Sequence, residues 1–131
     1  MPESKSSRQE FSASTIRTVA QRAAYLCSKP DCRCLTTTAP AGGSGVDMIG
    51  EAAHIIAAIA DGPRGKEPLE KYGIPGIASP ENAIWLCSIH HKQIDDHPEL
   101  YPVEMLLTWK ADVEAFTHQN LGRSPYQAPT S

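Results

Sequence analysis

Asn82-Ala-Ile-Trp-Leu-Cys87-Ser-Ile-His90-His91-Lys-Gln-Ile-Asp95-Asp96 is the stretch on which the reading of this chain turns. Its first part, Asn82 to Cys87, is short and apolar and reads as a strand. Beyond Cys87 the composition turns polar. His90 to Asp96 reads as a short helix that Pro98 ends. Cys87, His90 and His91, three side chains with lone pairs for a metal, sit at the junction. Asp95 stands four positions after His91, which on a helix puts both on one face.

Working towards the N-terminus, Cys27-Ser-Lys-Pro-Asp-Cys32 is a tight loop that Pro30 pre-bends. Cys27-x4-Cys32 and Cys87-x2-His90 are two close pairs of soft or borderline ligands, the donor set of a closed tetrahedral structural zinc site. The favoured set is Cys27, Cys32, Cys87 and His90. Cys34 is an alternative to Cys32 at a longer spacing, His91 is an alternative to His90, and small buried thiols without a metal are the plain alternative to both.

The remaining chain supplies a small α+β domain over residues 15–121. Thr15 to Leu26 carries Ile16, Val19, Ala20, Ala23, Ala24 and Leu26 at near-helical spacing, with Ser14 or Thr15 as N-cap. Leu35 to Thr38 is strand-like, Ala39 to Gly45 is a turn, and Asp47 to Ala60 is a second strand region centred on Glu51-Ala-Ala-His54-Ile-Ile. The expected pairing is a hairpin between these two. Asp61 to Pro80 is a long Gly/Pro-rich loop. Pro102 is expected at the first position of a last helix reaching about Gln119, with Val103, Leu106, Leu107, Val113 and Phe116 inward. Residues 1–14 and 122–131 read as flexible ends, the latter a tail or linker.

Composition narrows the classes. With 131 residues, 40% hydrophobic and 21% charged, the chain is expected to form one soluble domain; at 6% aromatic its small core calls for a staple. Residues 1–10 lack an apolar signal region, and no run approaches the ~20 apolar residues of a membrane span. A reducing cytoplasm is the expected location, where four cysteines serve metal better than disulfides. The net charge of −3 argues against a broadly basic nucleic-acid surface and leaves local cations to contact phosphate.

Four stretches together resemble the HNH endonuclease superfamily: Ile49-Gly-Glu-Ala-Ala-His54-Ile, Gly62-Pro-Arg64, Asn82 to Asp95 as quoted, and Leu107-Thr-Trp109-Lys110. With the Cys27/Cys32 loop the resemblance spans about residues 16–115. It is nearest in appearance to the N-terminal HNH domains of bacterial anti-phage effectors that a cyclic oligonucleotide activates. The resemblance implies a ββα-metal (His-Me finger) core with a structural zinc and flanking helices. It implies metal-dependent hydrolysis of double-stranded DNA with little sequence preference, and as partners a sensor domain or regulatory subunit and a homo-oligomer.

Carried onto this sequence, the resemblance makes His54 the general base, Asn82 the holder of the His54 region, and His91 a ligand of the catalytic cation. Asp95 beside His91 suits Mg²⁺ or Mn²⁺, with Ni²⁺ an alternative. Arg64, Lys92 and Arg33 are the candidate DNA phosphate contacts, while Lys110 reads as a solubilising charge. One departure stands out. Many family members carry Asp or His just before the base, and here that position is Ala53. Glu51 is near, but strand alternation sets it on the face opposite His54, so water or Asp95 is expected to fill the gap. The ring of His54 is expected opposite His91 with room for a phosphate between them. A zinc-bound binding module without catalysis is the rival reading.

Overall fold

A computed structural model describes residues 10–124. Ser12 opens the first helix, α1 (Ala13–Arg22), by accepting a hydrogen bond from the Thr15 N–H at 3.1 Å. The helix therefore starts two residues before the expected Thr15, and Ser12 rather than Ser14 or Thr15 caps it. It also ends earlier than expected. Ala24 and Tyr25 both take left-handed backbone angles, φ 51° and 60°, and the Tyr25 N–H bonds back to the Ala20 carbonyl at 2.8 Å. Those two residues turn the chain out of the helix and into the Cys27 loop. Of the expected flexible ends, residues 1–9 and 125–131 lie outside the described residues.

Two short antiparallel sheets follow. Strands β1 (Thr37–Thr38) and β2 (Asp47–Met48) pair across a turn in which Gly42, Gly43 and Gly45 take positive φ. The second sheet pairs β3 (Gly50–His54) with β4 (Ala83–Cys87), Ala52 opposite Trp85 and His54 opposite Ala83. The expected hairpin is thus only partly right. The turn at 39–45 does close a hairpin, but it stops at Met48, and the His54 strand crosses over to pair with a strand that follows it by nearly thirty residues. The five residues of β4 are all buried, so this apolar strand needs a partner at its side and cover on both faces.

Helix α2 (Ser88–Asp96) follows β4 directly. Helix α3 (Val103–Asn120) closes the domain, with Pro102 as its N-cap rather than its first helical residue. One face of the β3–β4 ribbon, carrying Ala53, Ile84 and Leu86, packs with Ile94 of α2 and Val103, Leu106 and Trp109 of α3. The other face, carrying Ala52, Ala83 and Trp85, packs with Val19, Ala20 and Ala23 of the α1 region and Val113 of α3. Trp109 is buried in this layer, in keeping with its reading as a core residue rather than a base-stacking one. Phe116, expected inward, is 46% exposed beneath the Arg33 guanidinium. Among the described residues no helix is long and apolar enough to cross a membrane.

Candidate functional site

The turn out of α1 delivers Cys27 and Cys32 to the β4–α2 junction. The Ser28 N–H bonds to the Trp85 carbonyl at 2.9 Å, and the Cys27 N–H to the Cys34 carbonyl at 3.0 Å, so the loop lies along the end of β4. The donor atoms of Cys27, Cys32, Cys87 and His90 all lie within 4.8 Å of one another. His90 Nδ1 is 3.6 Å from Cys27 Sγ and 3.2 Å from Cys87 Sγ. Ligands on a tetrahedral zinc, with bonds of about 2.3 Å to sulfur and 2.0 Å to nitrogen, stand roughly 3.5 Å apart, so four donors in this arrangement fit that ion. Burial and the nearby Lys29 ammonium hold His90 below its usual pKa, leaving a neutral ring with a lone pair to give. Burial also pushes the Cys27 thiol up to about 12, so a thiolate at that place calls for a cation beside it. Cys34 lies at the edge of the cluster but outside the four convergent donors.

A second group forms on the ribbon face that α2 covers. Its centre is His91, whose Nδ1 is 2.7 Å from Glu51 Oε1 and whose Nε2 is 3.1 Å from Asp95 Oδ2. The hydrogen bond to Asp95, opposed by burial and helped by Glu51, raises the His91 pKa above its usual value. Glu51 comes from β3 and shares the parity of Ala53, so it faces α2.

His54 lies elsewhere. Its ring stacks on Phe11, centroids 4.0 Å apart with planes 16° from parallel, on the ribbon face that α1 covers. The expectation that the rings of His54 and His91 face each other is therefore corrected: they leave opposite faces of the β3–β4 ribbon. The physical reason is the strand alternation that separates positions 51 and 54, since His91 packs on the Glu51 side.

The backbone just beyond His54 is held tightly. Asn82 is fully buried, and its side chain accepts from the Ile56 N–H and donates to the Ile56 and Ile77 carbonyls, each at 2.9 Å. The Asn82 carbonyl accepts from the Ile55 N–H at 2.9 Å. Arg64 reaches the same turn from the long loop. Its Nε donates to the Ile55 carbonyl at 2.6 Å, and its terminal nitrogens donate to the Ile94 carbonyl at 2.8 Å, the Tyr101 carbonyl at 3.3 Å and Asp95 Oδ1 at 3.3 Å.

A family model described as HNH endonuclease matches residues 32–98, just over half of the 131 residues. The chain belongs to the HNH endonuclease family. No curated protein matches it closely enough to be counted a relative. The matched part of this HNH domain runs from Cys32 to the turn after α2 and includes His54, Asn82, His90, His91 and Asp95. Membership carries nuclease activity and nucleic-acid binding in general.

Within the HNH domain the expected phosphate contacts need revision. Arg64 has a side chain only 3% exposed and is spent on internal carbonyls and Asp95, so it cannot meet DNA as the chain is folded. Arg33 lies over the Phe116 ring, its Nε buried and without a hydrogen-bond partner. Lys92 is 77% exposed and pairs with Asp96 at 3.0 Å, which leaves it at the surface. Lys110, read as a solubilising charge, is instead mostly covered and paired with Glu114 at 3.1 Å. The residue whose place the sequence reading underweighted is Glu51. The alternation argument correctly separated it from His54, and the same argument puts it on the side of the helix that bears His91.

Proposed function

We propose that this HNH domain is a metal-dependent endonuclease that hydrolyses phosphodiester bonds of double-stranded DNA with little sequence preference. The observation that carries the reading is the pair His91 Nε2 and Asp95 Oδ2, 3.1 Å apart and one turn from each other on α2. Two neighbouring ligands of an octahedral Mg²⁺, with bonds of about 2.1 Å, stand about 3 Å apart, so the spacing of these two atoms is compatible with such an ion once it displaces the proton they share. Glu51 at Nδ1 supports the same assignment. A metal-bound histidine usually donates its other N–H to a carboxylate, which sets the tautomer and the ring plane. His91 and Asp95 would hold the cation, Glu51 would orient His91, and water would take the place left open at Ala53. A divalent ion there supplies charge neutralisation at the phosphate and the leaving oxygen.

The chain's own groups do the remainder. In this reading His54 accepts the proton of the attacking water, which requires its ring to leave the Phe11 stack and turn towards the His91–Asp95 pair, while Asn82 holds the backbone that follows it. Cys27, Cys32, Cys87 and His90 hold a structural zinc that ties the α1 exit to the start of α2, so the helix bearing His91 cannot shift relative to the strands. Lys92 offers a surface cation to DNA, while the acidic balance leaves most of the binding strength to a partner domain or a second copy. An intracellular role in bacterial anti-phage defence, under a sensor domain, rests on the resemblance noted in the sequence.

A second reading has its own observation. His54 sits across the ribbon from His91 under Phe11, which suits a zinc-stapled nucleic-acid or protein-binding module without catalysis. Supercoiled plasmid separates the two. Zinc-loaded protein, free and as a tethered dimer, is incubated with Mg²⁺, Mn²⁺ or Ni²⁺. Nicked and linear products that a chelator abolishes support the nuclease. Intact plasmid in every arm leaves the binding module.

A further inference from the structure

Arg64 stands in a conformation the chain does not adopt cheaply. It has φ 58°, in the left-handed region that crowds a residue bearing a Cβ. The turn around it is equally constrained, since a Cβ on Gly65 would lie 1.9 Å from the Ile59 carbonyl oxygen. The constrained turn sends a guanidinium into the protein, where four acceptors meet it: the carbonyls of Ile55, Ile94 and Tyr101, and Asp95 Oδ1. Ile55 directly follows His54. Asp95 presents its other oxygen to His91 Nε2. One planar group therefore joins the backbone next to the imidazole on one side of the ribbon to the carboxylate on the other.

We propose that Arg64 is a positioning residue of the nuclease site: it fixes the Asp95 carboxylate so that Oδ2 stands at cation-ligand spacing from His91, and ties that carboxylate to the strand end bearing His54. The inference rests on the proposed function. A lysine cannot replace the fork, because one ammonium on a flexible stem cannot serve a carboxylate and three separated carbonyls in a common plane. The link ties the backbone beside His54 to the carboxylate beside His91 and leaves the two rings apart. The two lie on opposite faces, but Ile55 and Asp95 are within the span of one guanidinium and its hydrogen bonds, so both groups are registered to a common point at the ribbon end.

The test is a double-mutant cycle read by Mn²⁺ binding, followed by electron paramagnetic resonance on zinc-loaded protein, together with plasmid cleavage. Arg64→Lys is expected to weaken Mn²⁺ binding roughly 10-fold or more, the usual cost of losing a group that holds a metal ligand, with zinc content unchanged. Combined with Asp95→Asn, Arg64→Lys is expected to add little further loss, because it acts through that carboxylate. Val113→Ala, a core change on the other face, controls for lost stability and is expected to bind Mn²⁺ as the wild type does. Should Arg64→Lys not fold, Arg64→Gln keeps a pair of N–H donors without a buried charge and takes its place in the cycle.

Mn²⁺ binding by the folded Arg64 variant equal to wild type overturns the positioning role, and so does a loss that simply adds to that of Asp95→Asn. The premise fails in a different pattern. If wild type and His91→Ala bind Mn²⁺ alike, there is no cation at His91 and both readings fall together.

Discussion

Replacing Asn82 by alanine removes three hydrogen bonds of 2.9 Å at a side chain with no exposure. The groups left behind are the Ile56 N–H, the Ile56 carbonyl and the Ile77 carbonyl. A typical buried hydrogen bond contributes about 1 kcal/mol net, and a buried polar group left without a partner costs about 1–3 kcal/mol, so the change is expected to cost roughly 3–5 kcal/mol. That is a large part of the 5–15 kcal/mol by which domains are usually stable. Urea unfolding of zinc-loaded protein measures it. With a slope of about 2 kcal/mol per molar, the midpoint falls by roughly 2 M. Asn82→Asp keeps the size and can still accept from Ile56, but at neutral pH its carboxylate confronts two carbonyl oxygens. It is expected to be destabilised at least as much, and to recover part of the loss in acid, where the protonated carboxyl can donate once more. A loss below about 1 kcal/mol for Asn82→Ala, no more than an ordinary exposed contact gives, would refute the claim that this side chain clamps the turn after His54.

Two further outcomes follow from the packing and the thiol cluster. Cys27→Ser is expected to abolish stoichiometric zinc and remove most of the stability, since structural zinc supplies of order 10 kcal/mol of folding energy, whereas Cys34→Ser keeps one zinc per chain; metal analysis with thermal melts decides, and zinc loss in the Cys34 variant would contradict the assigned ligand set. Gly50→Ala places a Cβ 2.3 Å from the Trp85 ring and 2.6 Å from Thr36 Oγ1, so an overpacking cost of about 1–3 kcal/mol is expected in a denaturant melt, and no change would contradict the close approach of β3 to that ring.

The strand β4 and the helix after it were readable from local pattern, because Ala83 to Cys87 is apolar without interruption and the polarity change at Ser88 is abrupt. The α+β class followed from those elements, and so did the closeness of the two ligand pairs, because the Cys27-x4-Cys32 and Cys87-x2-His90 spacings suit one tetrahedral ion, although Cys34 and His91 stood beside them as alternatives. The partner of β3 was not readable. Turn chemistry at 39–45 announced a hairpin, but nothing local told that the chain would leave it at Ile49, where the Ile49 N–H bonds to the Thr36 carbonyl and the Ser88 N–H to the Ile49 carbonyl. Arg64 misled for a related reason. A lone arginine in a Gly/Pro loop reads as a surface charge, and its burial depends on carbonyls of Ile94 and Tyr101 that are distant in sequence. His54 was placed on the correct strand, yet which helix covers which face is a tertiary fact. Alternation told only that Glu51 and His54 part company.

The central claim is that His54 takes the proton from the water that cuts DNA while His91 and Asp95 hold the cation. Its most direct test is the rate of plasmid cleavage by His54→Ala beside wild type, at saturating Mn²⁺, with zinc content and melting temperature measured on the same preparations. The expected result is a fall of about 10²–10⁴-fold, the contribution of a general base, with zinc and folding unchanged. Cleavage by His54→Ala at the wild-type rate would contradict the account and leave the α2 face, with Glu51, His91 and Asp95, to act without it.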